Sequence, residues 1–208
     1  MKLSIATALS LFAVCAAPAF CDTYTFDSPM GQRGTSQAYG SVTAYGYAIT
    51  NSGNVLTDLY GKYVAPGSTE NGLGIYYGPG SQNEITDTSF VQLDITSIRN
   101  DTFSLSIGST QGNENFKVCF SSSQGTLGSC TTYSSPLGDP DTVSGLLAPT
   151  GDNFVSVTAT GQPSGSGNVL LDSLTTVPTA ATPEPSSLVL LGTGILGAAG
   201  AVRRKLYT

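Results

Sequence analysis

The chain is 208 residues long, has a formal charge of −6, and contains 25 Gly, 11 Pro, no Trp and no His. That length admits one medium-sized domain or two small ones, and with only 11% charged residues the chain is too weakly charged to stay solvated and unfolded. Without histidine there is no Ser-His-Asp or Cys-His nucleophile system and no HExxH zinc site; the acidic balance excludes nucleic acid, because neutralising phosphates needs clustered Lys and Arg.

The chain opens as a secretory signal peptide over residues 1–21. Lys2 supplies the positive start, Leu3 to Val14 is an apolar run interrupted only by Ser and Thr, and small residues follow at Ala16, Ala17 and Ala19. Such a segment forms a short helix, enters Sec-type export machinery and is cut by signal peptidase. Cleavage after Ala19 and cleavage after Cys21 both satisfy the small-residue rule. Neither Cys15 nor Cys21 is preceded by a lipoprotein box.

Residues 22–174 form the body, in which period-2 alternation dominates. Val91, Leu93 and Ile95 alternate with Gln92 and Asp94; Phe103, Leu105 and Ile107 with Ser104 and Ser106; Phe116, Val118 and Phe120 with Lys117 and Cys119. Each pattern marks a strand with one buried face. Weaker strand signals cover Thr23 to Phe26, Ser41 to Ile49, Leu73 to Tyr77, Asn153 to Ala159 and Val169 to Leu174, with turn clusters such as Ser52-Gly53-Asn54 and Gly78-Pro79-Gly80 between them. Eight or more short strands without a helical period imply an all-β fold, an antiparallel β-sandwich or jelly roll. Four cations against thirteen acids make the body more acidic than the whole chain, near −9, which disfavours anionic surfaces.

Cys119 and Cys130 flank a Ser- and Gly-rich loop and can face each other across a hairpin. In an oxidising compartment a disulfide is the expected state. The alternation places Cys119 outward beside Lys117, as a surface staple.

Carboxylates are the only acid–base groups left, so a glycosidase is the one enzyme class to test. Glu70, Glu84, Asp94 and Glu114 are its candidates, but spacing selects no pair, and no residue is assigned as catalytic. Asp139-Pro140-Asp141, with Asp27, Asp172 and Glu84, offers oxygens for a structural calcium ion, against the reading as ordinary loop acids; no other cofactor is implied. Tyr39, Tyr45 and Tyr47 suggest a platform for sugar rings, against routine use of Tyr in strands.

Residues 175–182 read as a Thr/Ala/Pro linker. Pro183-Glu184-Pro185 then fixes an extended segment. An uncharged stretch follows, helical over residues 187–202 and about 24 Å long, short for a hydrocarbon core of ~30 Å. Arg203, Arg204 and Lys205 close it, which places the tail inside and the body outside. This Pro-Glu-Pro motif, Gly-rich apolar helix and basic cluster resemble the PEP-CTERM sorting signal, over residues 183–208. The resemblance implies an exported protein of a Gram-negative, polysaccharide-producing bacterium. It implies processing by exosortase at Pro183, Glu184 and Pro185, with a membrane anchor and a basic stop at Arg203, Arg204 and Lys205. The protein would be membrane-anchored until cut, then on the cell surface or outside. Gly72-Leu73-Gly74-Ile75, Asn83-Glu84-Ile85 and the strand Phe90 to Ile95 are similar to a pattern common in PEP-CTERM sandwich domains, with Thr86 where Asp is usual.

These observations favour an exported, non-enzymatic protein of the cell surface or extracellular matrix. A carbohydrate-binding module is the alternative, recognisable by a concave face with exposed Tyr beside Asn, Gln or Asp. A glycosidase would instead show two convergent acids in one cleft.

Overall fold

The computed structural model describes residues 21–110, 114–134, 139–161, 168–177, 192–195, 197–198 and 202–203. Residues 1–20 of the signal peptide expected over 1–21, the Pro183-Glu184-Pro185 motif, Arg204 and Lys205 lie outside them. The chain divides into two compact units, residues 1–178 and 179–208.

The first unit is built from strands. In chain order these are β1 (Thr23–Thr25), β2 (Gly31–Gln32), β3 (Ser36–Tyr39), β4 (Val42–Thr50) and β5 (Gly53–Thr57). Next come β6 (Leu59–Lys62), β7 (Gly72–Ile75), β8 (Ser89–Asp94), β9 (Thr102–Gly108) and β10 (Phe116–Ser121). The last are β11 (Ser129–Tyr133), β12 (Asp141–Leu146), β13 (Phe154–Ala159) and β14 (Leu170–Val177). They form two seven-stranded sheets: sheet A in the order β12-β9-β14-β7-β6-β2 with β1 beside β14, and sheet B in the order β11-β10-β13-β8-β4-β3 with β5 beside β4. Every strand pairing among the described residues is antiparallel.

The alternations read from the sequence are what join the sheets. Phe103, Leu105 and Ile107 of sheet A and Phe116, Val118, Val91 and Leu93 of sheet B enter one apolar core, and the Phe103 and Phe120 rings meet across it at 6.2 Å. Burying such side chains contributes ~1.5–3 kcal/mol each, and their period of two leaves the opposite faces polar. The strands that alternation did not mark are mostly edges. Those at β5 and β11 are exposed along most of their length, so no buried face imprints a pattern on them. β14 also extends past its apolar residues: Thr175, Thr176 and Val177, expected as the start of the linker, pair with β9.

The disulfide joins Cys119 to Cys130. The two residues face each other directly in the β10–β11 register, with Cα atoms 4.0 Å apart. The expected open surface position of Cys119 is corrected: it is fully buried, while Cys130 is exposed. The joining loop turns back over the outer face of sheet B. There the Gly125 N–H donates to Gln92 Oε1 at 2.7 Å, Gln92 Nε2 donates to the Thr126 carbonyl at 2.9 Å, and Asn54 donates to the Gly125 carbonyl. The staple is rooted beneath its own loop.

In the second unit, residues 192–195, 197–198 and 202–203 are helical, within or beside the span expected over 187–202. No helix among the described residues is long and apolar enough to cross a membrane.

Removing the staple frees a loop of about a dozen residues in the unfolded chain, worth about 3 kcal/mol in the chain-entropy model. A Cys119→Ala/Cys130→Ala variant should lose about that much stability in urea unfolding. A loss below 1 kcal/mol would show that the loop is held by its hydrogen bonds alone.

Candidate functional site

Sheet A carries a polar cleft on its outer face, and glycines make room for it. Tyr60 and Lys62 alternate with the buried Leu59 and Gly61 along β6, so their side chains leave the core side of the sheet. Their partners on β7 are Gly74 and Gly72. A Cβ at Gly74 would overlap the carbonyl of Asn83, and one at Gly108 would overlap the carbonyl of Thr69. The segments bearing Glu70 and Asn83-Glu84 therefore lie directly against sheet backbone. Asn83 and Ser109 both adopt φ of +57°, a left-handed conformation uncommon outside glycine, and both line the cleft. Asn83 is secured there by accepting the Tyr77 N–H at 2.9 Å and donating to the Ser81 carbonyl at 3.1 Å. Such backbone outliers collect at functional sites because the surrounding structure must hold them.

The cleft encloses about 480 Å³ and is lined by Tyr60, Lys62, Glu70, Ser81, Gln82, Asn83, Glu84, Ser109, Glu114 and Asn168. That volume lies in the range of small-ligand sites, although the lining is far more polar than is usual for apolar ligands. A shallower hollow of about 350 Å³ adjoins it across the Ser81–Glu84 segment, with Tyr77, Thr86 and Asp87 on its far side. Tyr60 supplies an aromatic wall, its ring parallel to that of Tyr76 within 15° at 5.9 Å.

Lys62 organises the charges. Its Nζ lies 2.5 Å from Glu70 Oε2 and 2.5 Å from Glu84 Oε1, and Ser109 donates to Glu84 Oε1 at 3.3 Å. Glu84 is 3% exposed, and Lys62 is the cation paired with it at that depth. Burial lowers the Lys62 pKa, but hydrogen bonds to Glu70 and Glu84 outweigh it and raise the pKa above its ordinary value. Glu114 is different. Burial pushes its carboxyl up to about 6; the Asn168 N–H it accepts opposes this, and the charges of Glu84, Glu70 and Asp139 add to it.

Three of the four acids considered for glycoside chemistry, Glu70, Glu84 and Glu114, thus converge on one cleft. Asp94 does not line it and caps the turn at Thr96. The tyrosine platform is redistributed. Tyr45 and Tyr47 share a strand face, but Tyr47 is 5% exposed, stacked on Phe90 at 4.8 Å and bonded by Gln124. Tyr39, opposite Val42 in the β3–β4 register, faces the core, edge-on to Phe26. Burial pushes its hydroxyl up to about 12 although Arg33 opposes the shift. The three tyrosines therefore form no common exposed platform.

The candidate calcium ligands do not gather either: the described residues include no group of three or more acidic, His or Cys side chains placed to hold a metal. Asp172 is raised by burial, against hydrogen bonds from Ser106 and Ser173, with Asp27 adding to the rise. Asp139 accepts from the Thr110 N–H and hydroxyl. Asp141 is 2% exposed, and neither of its carboxylate oxygens has a hydrogen-bond partner among the described residues. Alternation along the chain did not reveal Tyr60, Lys62 or Asn168 as site residues, because they come together only through the sheet order. The Gly-Leu-Gly-Ile and Asn-Glu-Ile segments, read in the sequence as a resemblance in fold, supply Gly74, Asn83 and Glu84.

Among known proteins, residues 181–205 match the PEP-CTERM protein-sorting motif. Curated proteins provide no match. The solved structure of a family two carbohydrate esterase from Cellvibrio japonicus superposes with a TM-score of 0.33 at 15% identity, covering 80% of this chain and 36% of that one. The chain thus spans about a third of that protein, and the superposition is too loose to assign a shared fold or activity.

Two substitutions test the electrostatics. Lys62→Met strands Glu84 as a buried charge and should cost about 3 kcal/mol in chemical denaturation, most of it recovered by adding Glu84→Gln; additive losses would refute the coupling. Folded Glu114 keeps its proton up to about pH 6, whereas its ordinary value is 4.5, so stability is present below 4.5 and falls as pH rises through 6. Glu114→Gln should be neutral at pH 4 and stabilising by about 1 kcal/mol at pH 7.5, the shift being discounted for partial exposure. An equal effect at both pH values would contradict it.

Proposed function

We infer that this chain, which carries a PEP-CTERM protein-sorting motif implying export and sorting by exosortase, is a non-enzymatic cell-surface or matrix protein whose sandwich body holds extracellular polysaccharide. The observation that carries this reading is the Tyr60 cleft. Tyr60, carboxylates, Gln82 and Asn168 together line a concave, polar hollow. A pyranose needs that combination: apolar C–H faces stack on an aromatic ring, and hydroxyls exchange hydrogen bonds with carboxylates and amides. The adjoining hollow at Tyr77 extends the site in the way an oligosaccharide would use. Before exosortase acts, the helix expected over residues 187–202 serves as the membrane anchor; afterwards the body remains at the surface.

Glycoside hydrolysis is the second reading, favoured by one observation, the Glu114 carboxyl raised to about 6, a value that suits a general acid. Against it, Glu70 and Glu84 are both tied to the same ammonium. Neither is free to act as the second carboxylate that such chemistry requires.

On a glycan array the purified exported protein should bind a subset of polysaccharide fragments, and Tyr60→Ala should weaken that binding by about tenfold or more, since stacking on an aromatic ring contributes roughly 1–2 kcal/mol. Uniform absence of binding would sink the proposal. Release of reducing ends that stops in Glu114→Gln would favour the hydrolase. Glu184→Ala should leave the C-terminal segment attached in cells containing exosortase; normal trimming of that variant would refute the sorting role of Glu184.

A further inference from the structure

We propose that Asp141, with Asp139 and the hydroxyl of Thr110, holds a hard divalent cation, calcium by its chemistry, at the end of sheet A where β9 and β12 cease to pair. None of the three residues lines the Tyr60 cleft, and the proposal stands whether or not that cleft binds polysaccharide.

A buried carboxylate carries the argument. Asp141 is 2% exposed, and both of its oxygens lack a hydrogen-bond partner among the described residues. Native proteins partner nearly all buried polar groups, and an unpaired carboxylate is among the costliest to leave. The strand register shows where it points. Asp141 lies directly opposite Ile107, as Val143 lies opposite Leu105, and residues paired in this way share one face of a sheet. Ile107, Leu105 and Val143 belong to the core, so the Asp141 side chain also leaves the sheet on its inner side.

The groups that meet it there are oxygens. Asp139, two residues ahead, accepts the Thr110 N–H at 3.3 Å and the Thr110 hydroxyl at 3.4 Å, which holds the segment entering β12 against the segment leaving β9. Both distances are long for hydrogen bonds, and a carboxylate offers several lone pairs, so Asp139 keeps capacity for a cation. No described side chain of the body supplies that positive charge. Both ion pairs among the described residues belong to Lys62, Arg33 is bonded to Ser28 and Tyr39, and Arg99 to Asn153. Lys117 alternates with Phe116 and Val118 of the core and so takes the outer face of sheet B. Asp139 also acts through its charge on Glu114, which makes the local field negative and favours a cation.

Donor chemistry selects the ion. Carboxylate and hydroxyl oxygens suit hard cations rather than transition metals. Magnesium demands near-ideal octahedral geometry and dehydrates reluctantly, whereas calcium accepts about six to eight oxygens flexibly and completes its shell with main-chain carbonyls and water. The site therefore needs no third acid, in keeping with the absence, among the described residues, of any group of three acidic side chains placed for a metal. Its low ligand charge sets an affinity of roughly 10⁻⁴–10⁻³ M, the class of extracellular modules.

Thermal unfolding and calorimetric titration of the purified exported protein with calcium chloride, in 0.15 M salt, test this. Relative to chelator, about 10 mM calcium should raise the unfolding temperature by roughly 3–8 °C, and magnesium at equal ionic strength by less than half as much. Asp141→Asn should abolish both the shift and the binding. Asp139→Asn leaves the buried carboxylate in place and should weaken calcium binding about tenfold or more. Asp152→Asn removes the same charge ahead of β13 and should change neither readout; an equal loss there would mean diffuse attraction to an acidic protein and would overturn the site. No calcium shift in the native chain, an equal shift with magnesium, or a full shift retained by Asp141→Asn each overturns it. If Asp141→Asn does not fold, Asp139→Asn decides, and unchanged calcium affinity in that variant overturns the site as well.

Discussion

Backbone lying directly against backbone on the outer face of sheet A is the constraint from which the cleft follows. Side chains at positions 74 and 108 would occupy the space now held by the carbonyls of Asn83 and Thr69. With glycine there, two connecting segments settle flat on the sheet and carry Glu70 and Glu84 to within reach of Lys62. The same settling imposes a left-handed backbone at Asn83. Asn tolerates that conformation better than most residues, and its side chain repays it with hydrogen bonds to the turn. The Gly-x-Gly and Asn-Glu signals in the sequence are thus two halves of one steric arrangement.

The charge pattern depends on that arrangement. Lys62 is the cation that partners the buried Glu84, and its hydrogen bonds to Glu70 and Glu84 raise its pKa against the effect of burial. Glu114 lines the same cleft, where burial first and the neighbouring acids after it press its pKa upward. Sheet B illustrates the opposite outcome. Its outer face also bears tyrosine and amide groups, but the loop stapled by Cys119–Cys130 folds over them. Gln92 and Tyr47 then spend their hydrogen bonds on that loop. Polar outer faces exist on both sheets, and among the described residues the one on sheet A holds the cleft.

Much of the scaffold was legible because burial imprints a period. Phe103, Leu105, Ile107 and Phe116, Val118, Phe120 announced their strands, and the spacing of Cys119 and Cys130 announced a hairpin staple. What the pattern missed has a physical cause in each case. Edge strands such as β5 and β11 have no face against the core and so no alternation. Tyr39 sits opposite Val42, so its register turns it toward the core, and no local periodicity distinguishes that from the outer face taken by Tyr45. The Cys119 face looked exposed because alternation reports which side of a sheet a residue takes, not what covers that side.

The sequence by itself carried the sorting motif, which implies export, and determined the architectural class. A sorting motif is a linear segment and alternating hydrophobicity is a local property of a strand, so neither depends on distant residues. The composition, with no histidine and many acids, also narrowed the chemistry before any fold was known. Tertiary structure alone decided where chemistry is concentrated. Tyr60, Lys62, Glu70, Glu84, Glu114 and Asn168 are spread over more than a hundred residues. They meet because β6, β7 and β14 are neighbours in sheet A and because Glu114, just ahead of β10 in sheet B, accepts the Asn168 N–H, a pairing set by long-range register rather than by any short stretch of the chain.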